Sequence, residues 1–275
     1  MSPAPEPRGD GRLIFAMGGG GFTMEPSNPL LDDFVLSLAG APEPRILFLP
    51  TASGDTGAQL NAFKARFAHR TCVASHLSLF RLAETPRPLR EVVMEQDVIY
   101  VGGGSMRNLL ALWRAHELDR LLIEAWRAGT VLAGLSAGAM CWFQAGVTRS
   151  SGAPQTLGGL GLLDGSLTVH ADGEPERLPV WLAAVRAGSV PGGWALDDGV
   201  GLLFRGPRLE RAVSSRPGAG AERVDAIAGE LVRRRLEPEL LLADASCGAL
   251  GGRDEAVEEL RRVHRMRREL TRRRP

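Results

Sequence analysis

The sequence predicts an α/β protein in which a mainly parallel sheet is flanked by helices and is followed by a β-rich C-terminal part. Four short apolar runs alternate with helical patterns, and each run ends in glycine or small polar residues. Runs that are apolar throughout are typical of parallel strands buried on both faces. These strands are predicted within residues 12–21, 45–54, 97–105 and 130–138. Ligands on such sheets bind beyond the carboxyl ends of the strands, so we expect the functional site at that edge.

Helical patterns fill the intervals between these strands. The first begins with Asn28 as its cap and ends before Gly40, which is the usual order of start and stop residues. Two further patterns cover residues 56–70 and 105–129.

The second half of the chain is less regular. Residues 193–206 predict two strands around a tight Asp-Gly turn, and the segment after them is also β-rich. We assign residues 12–250 to one α/β domain, residues 1–11 to a disordered N-terminal tail and residues 251–275 to an arginine-rich C-terminal helix. That helix is expected to dock on the domain or to bridge two subunits of a homodimer. An arm that binds nucleic acid is the weaker alternative, because nothing else in the chain is basic.

Composition favours a cytoplasmic protein that binds neither nucleic acid nor membrane. The formal net charge of the 275 residues is +1, which provides no bulk field for an anionic partner. The N-terminus carries no apolar signal core, and no segment approaches the roughly 18 apolar residues that span a bilayer. The three cysteines are scattered without the spacing of metal ligands, which favours free thiols in a reducing compartment.

Ser136 is the first candidate for chemistry. The pattern G-x-S-x-G at residues 134–138 follows an apolar strand and precedes a helical segment. A nucleophile on a sharp strand-to-helix turn needs small neighbours, because the turn crowds backbone against backbone. The same turn would aim the N–H of Ala137 at a developing oxyanion. Small residues at such a join also occur for packing alone, so the pattern requires a base elsewhere in the chain.

Two glycine clusters end other predicted strands. Residues 100–105 read YVGGGS and residues 17–22 read MGGGGF. Their backbone could approach a ligand closely and donate N–H groups to it. A phosphate loop is the alternative, since helix N-termini bind phosphate, but neither glycine-rich nucleotide motif is complete here.

His170 is the favoured base for Ser136. It ends an apolar strand and enters a polar loop downstream of the serine. The other histidines lie in less suitable places: His69 and His116 on polar helical faces, His76 at a strand-like run and His264 in the arginine-rich tail. A serine nucleophile needs such a base to take its proton.

Six segments between residues 12 and 245 carry a resemblance to a known family. They read FLPTASGD, DVIYVGGGS, AGLSAGAMCWF, GVTRSSG, LGGLGLLDGSLTVHADGEPER and ALDDGVGLLF. In this order they resemble the peptidase E family, serine peptidases related to aspartyl dipeptidase and cyanophycinase. The resemblance implies an α/β fold of the class I glutamine amidotransferase type, with serine where those enzymes keep cysteine.

The resemblance also implies roles for individual residues. Ser136 would be the nucleophile and His170 its base, and the oxyanion hole would be formed by Gly103, Gly104 and the N–H of Ala137. The best-known members remove an N-terminal aspartate from dipeptides, and no metal or organic cofactor takes part. Since no metal-ligand motif is present, we expect activity to survive a chelator.

The chain departs from the family pattern in two places. Ser105 stands where we expect an asparagine that helps to shape the site. Arg149, followed by Ser150 and Ser151, stands where relatives commonly carry an aspartate that orients the histidine. An arginine cannot accept the imidazole N–H, and loss of the orienting carboxylate from a comparable triad costs about ten-thousand-fold in turnover.

Another residue must therefore orient His170 if the enzyme is active. Asp172, Glu174 and Glu176 lie just past the histidine, and Glu174 is our choice among them. Gln144 could orient the ring through its amide oxygen but brings no charge.

Two functions follow from these patterns. The first is a serine peptidase of the peptidase E type that hydrolyses short peptides, among them peptides with N-terminal aspartate. Arg177 could bind the acidic side chain, although a solvated loop arginine is an equal interpretation. The alternative is a catalytically impaired relative that binds a peptide or a small acid.

Overall fold

Two sheets make up the strand structure of the described residues. The computed structural model describes residues 12–85 and 87–242, so the predicted tail at 1–11 and helix at 251–275 lie outside the described residues. The described strands, in chain order, are β1 (Leu13–Met17), β2 (Arg45–Leu49), β3 (Val73–His76), β4 (Val98–Val101), β5 (Val131–Leu135), β6 (Phe143–Thr148), β7 (Gln155–Gly158), β8 (Leu163–Thr168), β9 (Gly193–Leu196), β10 (Val200–Arg205), β11 (Arg208–Ser214), β12 (Ala221–Ile227), β13 (Glu230–Leu236) and β14 (Glu239–Leu240).

The larger sheet has the strand order β14-β11-β10-β1-β5-β4-β2-β3. Its five strands from β1 to β3 pair in parallel, while β10 pairs antiparallel with both β1 and β11. The four strands predicted in the first half are β1, β2, β4 and β5. The predicted parallel sheet is therefore confirmed, and the β-rich C-terminal part is confirmed with it.

The described helices connect and cover these strands. They are α1 (Gly21–Met24), α2 (Leu30–Ser37), α3 (Gly57–Phe67), α4 (Leu89–Met94), α5 (Met106–Ala115), α6 (Leu118–Arg127), α7 (Ala137–Met140) and α8 (Arg177–Arg186), with 3₁₀ turns at Thr51–Ser53 and Leu79–Glu84. The pattern at 105–129 divides into α5 and α6, because the backbone of Glu117 is left-handed (φ 54°) and interrupts the helix. No described helix is long and apolar enough to cross a membrane.

The parallel strands are buried on both faces. In β1, Ile14 and Ala16 belong to a core cluster that also contains Trp113 of α5. Phe15 and Met17, on the opposite face of the same strand, belong to a second cluster. An apolar run with no polar alternation therefore reflects two covered faces, as the sequence predicted.

The smaller sheet, in the order β13-β12-β9-β8-β6-β7, was not foreseen as a separate unit. The two strands predicted around the Asp-Gly turn are β9 and β10, but they do not pair with each other as the strands of a hairpin would. The strand before the turn, β9, pairs with β8 and β12 in the smaller sheet, whereas β10 pairs with β1 and β11 in the larger one. The turn therefore carries the chain from one sheet to the other.

Candidate active site

Ser136 lies on a strained turn between β5 and α7. Its backbone angles are φ 52° and ψ −113°, a conformation that a residue with a side chain rarely adopts. The neighbouring glycines explain how the turn fits: a Cβ on Gly134 would lie 2.1 Å from the carbonyl oxygen of Gly138. A Cβ on Gly138 would lie 2.4 Å from the carbonyl oxygen of Val101. Strand and helix backbones cross so closely here that only glycine is accommodated at these two positions.

The predicted base reaches the serine from the other sheet. His170 follows β8, and its Nε2 lies 2.9 Å from the Oγ of Ser136. Both side chains are only partly exposed. The backbone of His170 is also left-handed, with φ 55°, so both members of the pair sit on constrained backbone. The structure brings together the two residues that the sequence singled out.

Asp198 is the carboxylate that contacts the ring. Its Oδ1 lies 2.5 Å from the Nδ1 of His170, and the residue is only 8% exposed. The backbone N–H of Asp198 donates to the carboxylate of Asp172 at 2.9 Å, which holds the turn in place. Burial acts to raise the pKa of Asp198, but its hydrogen bond and charge interaction with His170, with Arg216 and Arg177 nearby, hold that pKa below its usual value.

Our choice of Glu174 as the orienting residue is contradicted by this geometry. The backbone N–H of Glu174 donates to the carbonyl of His170, so the glutamate lies one turn further along the loop. Its carboxylate accepts from Arg177 at 2.9 Å and lies 3.6 Å from Arg149. The side chain of Gln144 also has other partners: its amide nitrogen donates to Asp164, and its amide oxygen accepts the backbone N–H of Gly165. None of these groups contacts the ring.

The sequence held one signal for Asp198 that we interpreted differently. The pair Asp197-Asp198 follows an apolar strand and precedes glycine. The other strands whose ends form the functional edge also lead into glycine or polar residues. Interpreting it as a hairpin turn excluded it from the functional edge. Because the turn instead joins the two sheets, it lies beside the histidine that follows β8.

The two glycine clusters line this edge, as predicted. A Cβ on Gly103 would lie 3.4 Å from the Cβ of Ser136, so this loop packs against the serine. A Cβ on Gly19 would lie 2.9 Å from the Cε1 of His170, so the first cluster packs against the histidine. Gly104 has φ 140°, and a Cβ there would lie 2.2 Å from the carbonyl oxygen of Ala52. The N–H groups of Gly103 and Gly104 have no acceptor among the described residues.

A cavity of about 230 Å³ opens beside Ser136. Its lining is basic and hydroxylic, with one thioether: Gly104, Ser105, Ser136, Met140, Thr148, Arg149, Ser150 and Arg177. Arg177 is almost fully buried and pairs with Glu174. Arg149 is about half exposed: its Nε donates to the carbonyl oxygen of Gly152 at 3.1 Å, and its contacts with Glu174 and Glu176 are longer, 3.6 and 3.8 Å. Burial lowers the pKa of Arg177 from its ordinary value, while Glu174 acts in the opposite direction.

Ser105 and Arg177, the two residues predicted to contact substrate, therefore line one cavity with Ser136. Ser105 also caps a helix. Its hydroxyl accepts the N–H of Asn108 and caps α5. Ser150, from the loop after β6, accepts the N–H of Arg107 at the same helix end. This contact fixes the wall of the cavity that carries Arg149. In the part of the chain that the structure describes, no three His, Cys, Asp or Glu side chains form a metal-binding group.

Comparison with known proteins assigns this arrangement to a family. The family model described as peptidase family S51 matches residues 14–212, a range that includes strands of both sheets and the three hydrogen-bonded residues Ser136, His170 and Asp198. The chain belongs to peptidase family S51. The resemblance to peptidase E proteins is thereby confirmed, and the chain is a peptidase of this family.

Individual relatives agree with the assignment. The chain is 50% identical over 213 residues to the uncharacterized peptidase YgaJ of Bacillus subtilis strain 168, a match that covers 78% of this chain and 92% of the relative. A peptidase from an acI-B1 actinobacterium has the same fold, with a TM-score of 0.64 at 18% identity over 84% of this chain and 96% of the other. A candidate peptidase E protein of Listeria monocytogenes EGD-e superposes with a TM-score of 0.51 at 18% identity, over 82% and 98% of the two chains.

Proposed function

We propose that this family S51 protein is a serine peptidase that hydrolyses short peptides through Ser136, His170 and Asp198. The observation that carries the proposal is the continuous series of contacts from Ser136 Oγ to His170 Nε2 (2.9 Å) and from His170 Nδ1 to Asp198 (2.5 Å). Both distances are those of hydrogen bonds, and the series has the geometry of a nucleophile, a base and an orienting acid.

In the acylation step, Ser136 Oγ attacks the carbonyl carbon of the peptide bond while His170 Nε2 takes the hydroxyl proton. The carbonyl oxygen becomes an oxyanion, which would accept hydrogen bonds from the N–H of Ala137 and from the Gly103–Gly104 segment. The imidazolium then gives its proton to the leaving nitrogen, the C–N bond breaks, and an acyl ester remains on Ser136. Water attacks this ester with the same proton transfers, which release the acid and restore the hydroxyl.

Asp198 supports both steps through the ring of His170. By accepting the Nδ1 proton it leaves Nε2 free to act as base, and its charge stabilises the imidazolium that forms. A carboxylate whose pKa is held below its usual value stays ionised at neutral pH. The charge partner that seemed to be missing at Arg149 would thus be supplied from the turn between the two sheets.

We further propose that the preferred substrates carry an acidic side chain, N-terminal aspartate among them. The lining of the cavity supports this, since two guanidinium groups and three hydroxyls besides Ser136 surround a space of about 230 Å³. Such a space admits one short side chain. Carboxylates are the groups that arginine binds best, because its planar donors match them. Arg177 and Arg149 would share this task, and Glu174 would hold Arg177 in place.

The alternative of a catalytically impaired binding protein rested on the absence of an orienting acid. Asp198 contacts the ring of His170, so the lack of an acid at Arg149 no longer favours the alternative. A cytoplasmic location also remains our proposal, and the free thiols of Cys72 and Cys141 support it. The homodimer, and the absence of nucleic-acid and membrane partners, stay predictions.

A fluorophosphonate probe tests the proposed chemistry directly. The purified protein should gain one adduct, and peptide mapping should locate it on Ser136. His170→Ala should slow labelling strongly, because the hydroxyl then lacks its base. His116→Ala, which changes a histidine remote from the site, should label at the parent's rate. A parent protein that is not labelled, or that is labelled at another serine, would contradict the proposal.

A further inference from the structure

Gln59 connects helix α3 to the glycine loop that borders Ser136. Its side-chain amide donates to the carbonyl oxygen of Gly103 at 3.2 Å. The other end of the same amide, Oε1, is buried without a hydrogen-bond partner among the described residues. A Cβ on Gly102 would lie 2.8 Å from that oxygen, so the amide packs directly against the loop.

The loop has little else to fix its peptide planes. Glycine residues in succession allow the intervening peptide unit to rotate at small energetic cost, since no Cβ limits φ and ψ. The neighbours on either side are held: Gly102 N–H donates to Leu49 O, and Ser105 N–H donates to Ala52 O. Between them, the carbonyl of Gly103 is restrained by Gln59 alone among the described side chains.

Holding this carbonyl also sets the direction of the next N–H. A trans peptide is planar, and its C=O and N–H point in opposite directions. A Gly103 carbonyl turned towards α3 therefore turns the N–H of Gly104 away from α3. Gly104 lines the cavity beside Ser136, and its N–H has no acceptor among the described residues.

We infer that Gln59 is a positioning residue that fixes the Gly103–Gly104 peptide so that the N–H of Gly104 is held ready to bind the oxyanion. This inference rests on the proposed serine mechanism. The fold of α3 does not depend on the amide, because the helix is anchored by the buried rings of Phe63 and Phe67.

Two substitutions test the inference. Gln59→Met keeps the length of the side chain but removes the donor, and Gln59→Glu replaces the donor by an anion that repels the Gly103 carbonyl. The exposed amide of Asn61, on the same helix, supplies the matched control Asn61→Asp. We expect kcat to fall about 10- to 100-fold in both Gln59 variants with KM within about threefold of the parent, because an oxyanion donor acts mainly in the transition state.

Inhibitor binding separates positioning from a general loss of structure. A peptide trifluoromethyl ketone forms an adduct that carries an oxyanion, so its affinity should fall by the same factor as kcat/KM. The melting temperature should stay within a few degrees of the parent for at least Gln59→Met. Hydrolysis that depends on Ser136 but is equal in Gln59→Met, Gln59→Glu and Asn61→Asp would overturn this inference alone. A parent without Ser136-dependent hydrolysis would overturn the serine mechanism and this inference with it.

Discussion

The nucleophile side and the base side of the candidate site are built in different ways. Ser136 belongs to the larger sheet, and its geometry is local: one strand, one turn and one short helix within ten residues. His170 follows a strand of the smaller sheet, and Asp198 lies on the turn between the sheets, 28 residues further along. The first arrangement is encoded in neighbouring residues, whereas the second depends on how two sheets meet. Carboxylates that are close to the histidine in sequence need not be close to it in space.

Removing the nucleophile should have the largest effect. Ser136→Ala leaves a small residue on the strained turn, so the fold should persist while turnover falls by about six orders of magnitude, as in a comparable triad. Hydrolysis of an Asp-containing dipeptide measures the loss. Ser150→Ala, which removes a hydroxyl from the same cavity, should stay within about tenfold of the parent. Activity of Ser136→Ala within tenfold of the parent, with contaminating peptidase excluded, would end the serine hypothesis.

Substitutions of the two carboxylates near His170 should differ by several orders of magnitude in their effect on kcat. Asp198→Asn leaves the ring without a charge partner, and kcat should fall about ten-thousand-fold. Glu174→Gln keeps a hydrogen-bond acceptor for Arg177, and kcat should change less than about tenfold. The same dipeptide assay compares them. The reverse order, with Glu174→Gln the damaging change, would restore our prediction from sequence and remove Asp198 from the mechanism.

Arg149 tests whether the cavity selects acidic substrates. Because Asp198 already contacts the ring, Arg149→Asp brings no new partner to His170. It places a negative charge where a cation lines the cavity, so kcat/KM for the Asp-containing dipeptide should fall about 10- to 100-fold by charge repulsion. In Arg149→Gln, which removes the cation without adding a negative charge, kcat/KM for this dipeptide should fall less.

A neutral dipeptide of similar size provides the control, since its kcat/KM should change less than about threefold in either variant. A rise in turnover with Arg149→Asp would instead indicate that an acid at this position serves the histidine.

The buried carboxylate of Asp32, whose charged and hydrogen-bonding neighbours are Arg66, Tyr100 and Asp33, should behave in the opposite way to Asp198. Burial raises the pKa of Asp32 from 3.8 to about 7, against the charge of Arg66 and the hydrogen bond from Tyr100. A carboxyl whose pKa is raised by folding stabilises the protein most at low pH, and this contribution decreases as pH rises towards 7.

Asp32→Asn removes that titration. Between pH 5 and pH 8 the parent should lose about 1–3 kcal/mol of unfolding free energy relative to this variant, measured by urea denaturation. Asp33→Asn, on the same helix, should keep most of the pH dependence of the parent, because burial contributes more than the charge of Asp33 to the raised pKa of Asp32. Parallel curves for the parent and Asp32→Asn would show that Asp32 is ionised throughout this range.

The features that could be predicted from the sequence are those that are constrained by residues close together in the chain. The apolar runs of β1, β2, β4 and β5 indicated their strands, because burial on both faces excludes polar residues along the whole strand. The turn at Ser136 was predicted because crowding at one point restricts its immediate neighbours to small residues. His170 was found by the same logic, as the histidine that ends an apolar strand. In each case the physical constraint acts within a few residues.

Tertiary structure alone decided which acid meets the histidine. Asp172, Glu174, Glu176 and Asp198 are all carboxylates near strand ends, and the local pattern at Asp198 fits a turn as well as it fits a site residue. The choice depends on the pairing of β9 and β10 with different sheets, which takes the turn between them to the ring of His170. Strand pairing is set by burial and hydrogen bonding between segments far apart in the chain. The amino-acid order therefore determined the proposed nucleophile and the strand edge around it, whereas the meeting of the two sheets determined the charge partner of His170 and the basic cavity.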